Sequence, residues 1–160
     1  MVSRKTGALI RCSMELGAIV GNGDYETVDS MALCGGYIGN VFQIRDDYLG
    51  IWGDEKNTGK AIGNDIRKRK NSLPLVFAME KSSADDKRFI QEIYSKVDVT
   101  DNDVIDVMSI LDKVRAKEYV QELAQEEAGL AYKILDKVKM IDGSREQINE
   151  LIRFLLYREN

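Results

Sequence analysis

Two adjacent carboxylates, Asp46 and Asp47, stand toward the end of the stretch GGYIGNVFQIRDDYLGIW, Gly35 to Trp52. Laid on a helix, Gly36, Gly39, Asn40, Gln43, Asp46, Asp47 and Gly50 recur at helical steps as a small, polar stripe. Ile38, Val41, Phe42, Leu49 and Trp52 fill another face, so the stretch reads as a buried helix with one polar side. Near a helix C-terminus the free carbonyls already make the local field negative, and two acids there call for cations. Mg²⁺ is one source, since it accepts one or two carboxylates and keeps water and phosphate oxygens as its other ligands. Salt bridges to neighbouring lysines account for the same pair on these residues alone.

Candidate anion ligands flank this pair. Lys5 and Thr6 fall in the first turn of an apparent helix, where free amides and the positive dipole end favour an anion; an ordinary solvent-facing lysine explains Lys5 equally. After Trp52 comes GDEKNTGKAIGNDIRKRKN, carrying Gly53, Gly59 and Gly63 among the bases Lys56, Lys60, Arg67, Lys68, Arg69 and Lys70. A phosphate-binding P-loop does not fit Gly53 to Lys60. Five residues instead of four separate Gly53 from Gly59, Ala61 replaces the Ser or Thr, and a helix precedes the loop in place of a strand. What remains is a basic loop directly after two carboxylates, for which a solvated, charge-balancing surface is the alternative.

The composition limits the rest. The chain of 160 residues contains no histidine, which excludes histidine bases, triads and metal ligands. Its 27 acidic and 23 basic residues are interleaved and give a net charge of −4, unlike a nucleic-acid-binding domain with a basic face. Cys12 and Cys34 form no metal or disulfide pattern and read as reduced, buried thiols of a cytoplasmic protein. Arg11 and Glu15 interrupt the N-terminal apolar residues, so neither a signal peptide nor a membrane span is expected.

The elements that must position these groups are helical. Proline occurs once, at Pro74, and apolar residues recur at helical spacing, which predicts an all-α fold. The first helix runs from Ser3 to about Val20 and stops at Gly21, Asn22 and Gly23. After the central helix, Asn71 or Ser72 caps the next, Ser82-Ser83-Ala84-Asp85 resembles the start of another and Thr100 begins a third. Lys113 to Val138 reads as one long amphipathic helix, and Ser144 with Gln147 as a capping box for the last. With no linker or repeat, residues 1–160 are expected to form a single domain.

FQIRDDYLGIWGDEKNTGK, followed by GND and RKRKNSLPL, resembles the second aspartate-rich region of the trans-isoprenyl diphosphate synthases, or polyprenyl synthases. Lys5-Thr6 matches the family's Lys-Thr pair, and LIRFLLYREN resembles its last helix. The resemblance implies an all-α isoprenoid synthase-type bundle around a deep apolar cavity. It also implies Mg²⁺ held by Asp46 with Asp47 in support. Lys5, Thr6, Gln43, Lys60 and Lys70 would bind the allylic diphosphate, with Lys60 and Gln43 steadying the departing pyrophosphate. The reaction implied is head-to-tail condensation with isopentenyl diphosphate.

Two departures stand out. The family's second region reads DDxxD, but position 50 is glycine, as in some members that continue IWGD, which implies a weaker metal site. The family's first aspartate-rich motif is also lacking, so the resemblance covers the C-terminal half of a synthase. Activity would then need an N-terminal half, supplied by a partner or a longer chain, and an uncovered cavity wall favours a homodimer or such a partner. A non-catalytic synthase subunit or binding module is the alternative reading, and a class I terpene cyclase a third.

Overall fold

The computed structural model describes residues 6–53 and 61–159. Among them are eight α-helices and no strand, in agreement with the all-α expectation: α1 (Thr6–Val20), α2 (Tyr25–Trp52), α3 (Asn64–Arg67), α4 (Leu73–Lys81), α5 (Ala84–Ser95), α6 (Asp101–Lys113), α7 (Ala116–Leu135) and α8 (Asp142–Tyr157). No helix among the described residues is long and apolar enough to cross a membrane.

The chain divides into two compact units, Met1–Arg45 with Glu122–Arg158, and Asp46–Gln121 with Glu159–Asn160. Each has its own core. In the first unit Cys34, Ile38 and Val41 of α2 pack with Ala128, Ala131 and Leu135 of α7 and Ile152 and Leu155 of α8. Asn40, from the polar stripe, donates to Glu127 Oε2 at 2.9 Å, tying α2 to α7. Arg45 donates through Nε and Nη2 to the Arg158 carbonyl at 2.8 and 2.6 Å, which anchors the end of the last helix on α2.

Glycines let α1 approach α2 in this unit. A Cβ on Gly39 would lie 2.5 Å from Gly7 Cα, and one on Gly35 2.8 Å from Arg11 Cα. The opposite side of α1 is bare: Leu9, Leu16 and Val20 are 68%, 54% and 81% exposed. Cys12 shares that exposure and so departs from the buried thiol expected of it, whereas Cys34 is buried and its thiol is pushed up to about 11 by desolvation.

The second unit packs Ile51, Ile66, Leu75, Ala78, Ile90, Ile93, Val104, Val107, Ile110 and Leu111 into one core, with Trp52 against it. Ser83 Oγ caps α5 by accepting from Asp86 N, and Thr100 with Asp103 forms a capping box on α6. The long helix expected over 113–138 is present but shorter at both ends, Ala116–Leu135, because α6 runs to Lys113 and Arg115 adopts φ 58° between them. The apolar period continues across this turn, which hides it from periodicity. Ser144 is likewise inside α8, whose N-cap is Ile141 without a side-chain cap. Arg145 instead donates to the carbonyls of Leu135 and Val138, closing the end of α7.

Candidate functional site

The end of α2 opens the second unit with Asp46 and Asp47, and the two carboxylates have different surroundings. Asp46 is 48% exposed at its side chain and has a loose ion pair, 3.8 Å from Lys70 Nζ. Asp47 is 4% exposed at its side chain and accepts from Lys70 Nζ at 3.0 Å through Oδ1 and from Leu73 N at 2.9 Å through Oδ2. Leu73 is the first residue of α4. Ser72 occupies the N-cap position, but its hydroxyl makes no cap hydrogen bond. Asp47 therefore does for α4 what a capping side chain normally does, satisfying a free amide and placing negative charge at the positive helix end.

The loop after α2 returns a third acid to the same ammonium. Gly63 N donates to the Ile51 carbonyl at 2.9 Å. Its φ of 72° suits glycine, and its missing Cβ leaves room for Val104. This turn starts α3, on which Asp65 is buried and accepts from Lys70 Nζ at 2.9 Å. Arg69, with φ 51°, then reverses the chain, and Lys70 N donates to the Asp65 carbonyl at 2.9 Å. The Arg69 guanidinium donates to the carbonyls of Lys96 and Val97, pinning the reversal to the end of α5.

Lys70 is thus ringed by Asp65, Asp47 and Asp46. Partial burial pulls its pKa down, but the hydrogen bonds and charges of Asp65 and Asp47 outweigh this and hold it well above the usual lysine range. Tyr94 lies beside it, its hydroxyl 3.5 Å from the Lys70 carbonyl. Burial, with the Asp65 charge adding to it, raises the phenol above its ordinary value.

Of the residues singled out in the sequence, Asp46, Asp47 and Lys70 come together in this unit. Thr6 begins α1 and Gln43 lies on α2, both in the first unit. Lys5 and Lys60 lie outside the described residues. Asp65 was not singled out, although the glycine of G-N-D was a usable signal: a left-handed residue starting a helical turn aims the acid that follows. Among the described residues no cluster of three or more acids and thiols forms a ready metal cage. A hydrated Mg²⁺ needs less, because one or two carboxylates suffice when phosphate and water complete the shell. Half-exposed Asp46 meets that requirement.

Comparison with known proteins bears on the family and the fold. The polyprenyl synthetase family model matches residues 1–114. A short chain isoprenyl diphosphate synthase of Methanothermobacter thermautotrophicus is 32% identical over 160 residues, covering 100% of this chain and 48% of that protein. The crystal structure of a geranylgeranyl pyrophosphate synthetase from Pyrococcus horikoshii Ot3 matches with a TM-score of 0.90 at 32% identity, over 99% of this chain and 47% of that one. A geranylgeranyl pyrophosphate synthase from Corynebacterium glutamicum, complexed with isoprenyl diphosphate and magnesium, matches with a TM-score of 0.79 at 30% identity, over 89% and 41%. The chain spans about half the length of the curated relatives it matches. A family match over most of its residues and an all-α fold shared with solved synthases mean that this chain belongs to the polyprenyl synthetase family.

Proposed function

We propose that this chain is the C-terminal portion of an isoprenyl diphosphate synthase and supplies one metal and diphosphate wall for head-to-tail condensation of an allylic diphosphate with isopentenyl diphosphate. The observation that carries the reading is the unequal pairing of the two aspartates: Asp47 is spent on Lys70 and Leu73, while Asp46 is half-exposed beside a held ammonium. Asp46 is the metal ligand, and Asp47 supports it from behind by fixing Lys70 and the start of α4. Bound there, Mg²⁺ would neutralise charge on the departing pyrophosphate. The magnesium and isoprenyl diphosphate in the Corynebacterium glutamicum complex support that choice of metal and substrate class.

Lys70 stays charged beside the leaving group and lowers the barrier to ionisation of the allylic ester by fixed electrostatics. Gln43 and Thr6, with Lys5 and Lys60 from outside the described residues, keep the diphosphate-binding roles that the resemblance implies. The bare apolar side of α1 supports covering by the other half of a synthase, whether in the same polypeptide, a partner subunit or a second copy.

Isothermal titration with Mg²⁺ and geranyl diphosphate tests the reading. Magnesium-dependent binding that weakens on the order of tenfold or more in Asp46→Ala supports it. Absence of any magnesium-dependent binding by the wild-type chain overturns it. Association with a complete synthase without diphosphate binding would instead fit the non-catalytic subunit, and products formed without isopentenyl diphosphate would fit a cyclase.

A further inference from the structure

Arg69 stands where the end of a helix ordinarily places glycine. Its amide donates to the Ile66 carbonyl, and the Lys70 amide to the Asp65 carbonyl, both at 2.9 Å. These two bonds close α3 as a Schellman turn, whose left-handed residue is usually glycine because a Cβ there is unfavourable. Arg69 nevertheless holds that conformation, at φ 51°. Its side chain supplies the restraint: the guanidinium donates through Nη1 to the Lys96 carbonyl and, at 3.1 Å, to the Val97 carbonyl. Lys96 is the C-cap of α5, so the cation meets carbonyls at the negative end of a helix. Arg67 of α3 pairs with Asp101 of α6 at 2.7 Å, which ties the same turn to the α5–α6 connection at a second point.

The turn decides where the next residue goes. Lys70 follows Arg69 directly, and its ammonium lies 3.0 Å from Asp47 Oδ1 and 2.9 Å from Asp65 Oδ2. Its carbonyl accepts from Ser72 N at 2.9 Å as the chain passes on to α4. We propose that Arg69 is a positioning residue for Lys70: its clamp on the carbonyls of Lys96 and Val97 holds the left-handed turn that brings the Lys70 ammonium between Asp47 and Asp65. Glycine would make the turn without strain but would leave it untethered, so conformation and anchorage separate by substitution. The consequence for diphosphate binding rests on the synthase reading above; the clamp does not.

Arg69→Gly removes the clamp and leaves a residue suited to the turn, and two measurements follow from it. In metal-free protein carrying isotope-labelled lysine, the Lys70 ammonium should give an NMR signal, identified by its loss in Lys70→Ala, because its hydrogen bonds slow exchange with water. In Arg69→Gly that signal should broaden beyond detection while thermal unfolding stays cooperative. An unchanged Lys70 signal in Arg69→Gly, or none in wild type, overturns the proposal. In titrations with Mg²⁺ and inorganic pyrophosphate, Arg69→Gly should weaken binding roughly three- to tenfold in the wild-type background and less than about twofold in Lys70→Ala, because its effect passes through that ammonium. An equal loss in both backgrounds means that the Arg69 charge acts on the anion directly, and overturns the positioning role. A wild-type chain that binds no magnesium pyrophosphate refutes the synthase reading, and the Lys70 signal then decides the clamp alone.

Discussion

Replacing Asp47 with alanine should damage the fold far more than replacing Asp46, although the two are neighbours of the same type. Asp47 is 4% exposed at its side chain and accepts from Lys70 Nζ at 3.0 Å and Leu73 N at 2.9 Å. Loss of the second removes the cap of α4 and leaves an amide unpaired, worth about 1–2 kcal/mol. The ion pair adds no more than about 1 kcal/mol, because Lys70 is 41% exposed, keeps Asp65 and is screened by solvent. The sum for Asp47→Ala is about 1–3 kcal/mol. Asp46→Ala removes a 48%-exposed side chain whose ion pair with Lys70 spans 3.8 Å and should stay within about 0.5 kcal/mol of wild type.

Urea unfolding followed by Trp52 reads this out locally. Trp52 is the chain's one tryptophan and packs against the core of the unit that holds the cluster. With a slope of about 2 kcal/mol per M, the Asp47→Ala midpoint should fall by roughly 0.5–1.5 M while that of Asp46→Ala barely moves. Equal midpoints for the two variants, or a larger loss for Asp46→Ala, would refute the division of roles drawn from the hydrogen bonds.

Two further outcomes follow from the packing and the charges. Gly39→Ala puts a Cβ 2.5 Å from Gly7 Cα, where backbone cannot yield, and should cost about 1–3 kcal/mol or more in thermal unfolding. Gly36→Ala, with nothing within 4 Å of the new atom, should be neutral or stabilising. The hydrogen bond from Lys96, aided by those from Thr100, lowers the Asp103 carboxyl to about 2. Its stabilisation is full above an unfolded value of about 3.9 and is lost as pH falls through 2, so the Tm deficit of Asp103→Asn at pH 7 should close between pH 4 and pH 2.

The helices were legible in the sequence because their signals are local. The caps Ser83 and Thr100 fall at the start signals Ser82 to Asp85 and Thr100, and the apolar period marks the buried faces. The misplaced features have distant causes. The cap of α4 comes from Asp47, 26 residues away, so Ser72 was the reasonable local choice. The break before α7 uses Arg115 in a left-handed conformation that its type does not advertise. The apolar side of α1, with Leu9, Leu16 and Val20, stays exposed because nothing among the described residues covers it.

The candidate site shows the same divide between what is near in sequence and what is near in space. The Asp pair and Lys70 stood out by type and spacing, whereas Asp65 reaches the same ammonium through the left-handed turn at Gly63. Among the described residues, Asp46, Asp47 and Asp65 share the one ammonium of Lys70. The shares are unequal: Lys70 lies 2.9 and 3.0 Å from the two buried acids and 3.8 Å from Asp46. Of the three, Asp46 is the carboxylate most open to water, at 48% side-chain exposure against 4% for Asp47 and 9% for Asp65. On the proposed reading that difference directs a hydrated divalent cation to Asp46, because Mg²⁺ keeps water in its shell and needs a carboxylate that leaves room for it.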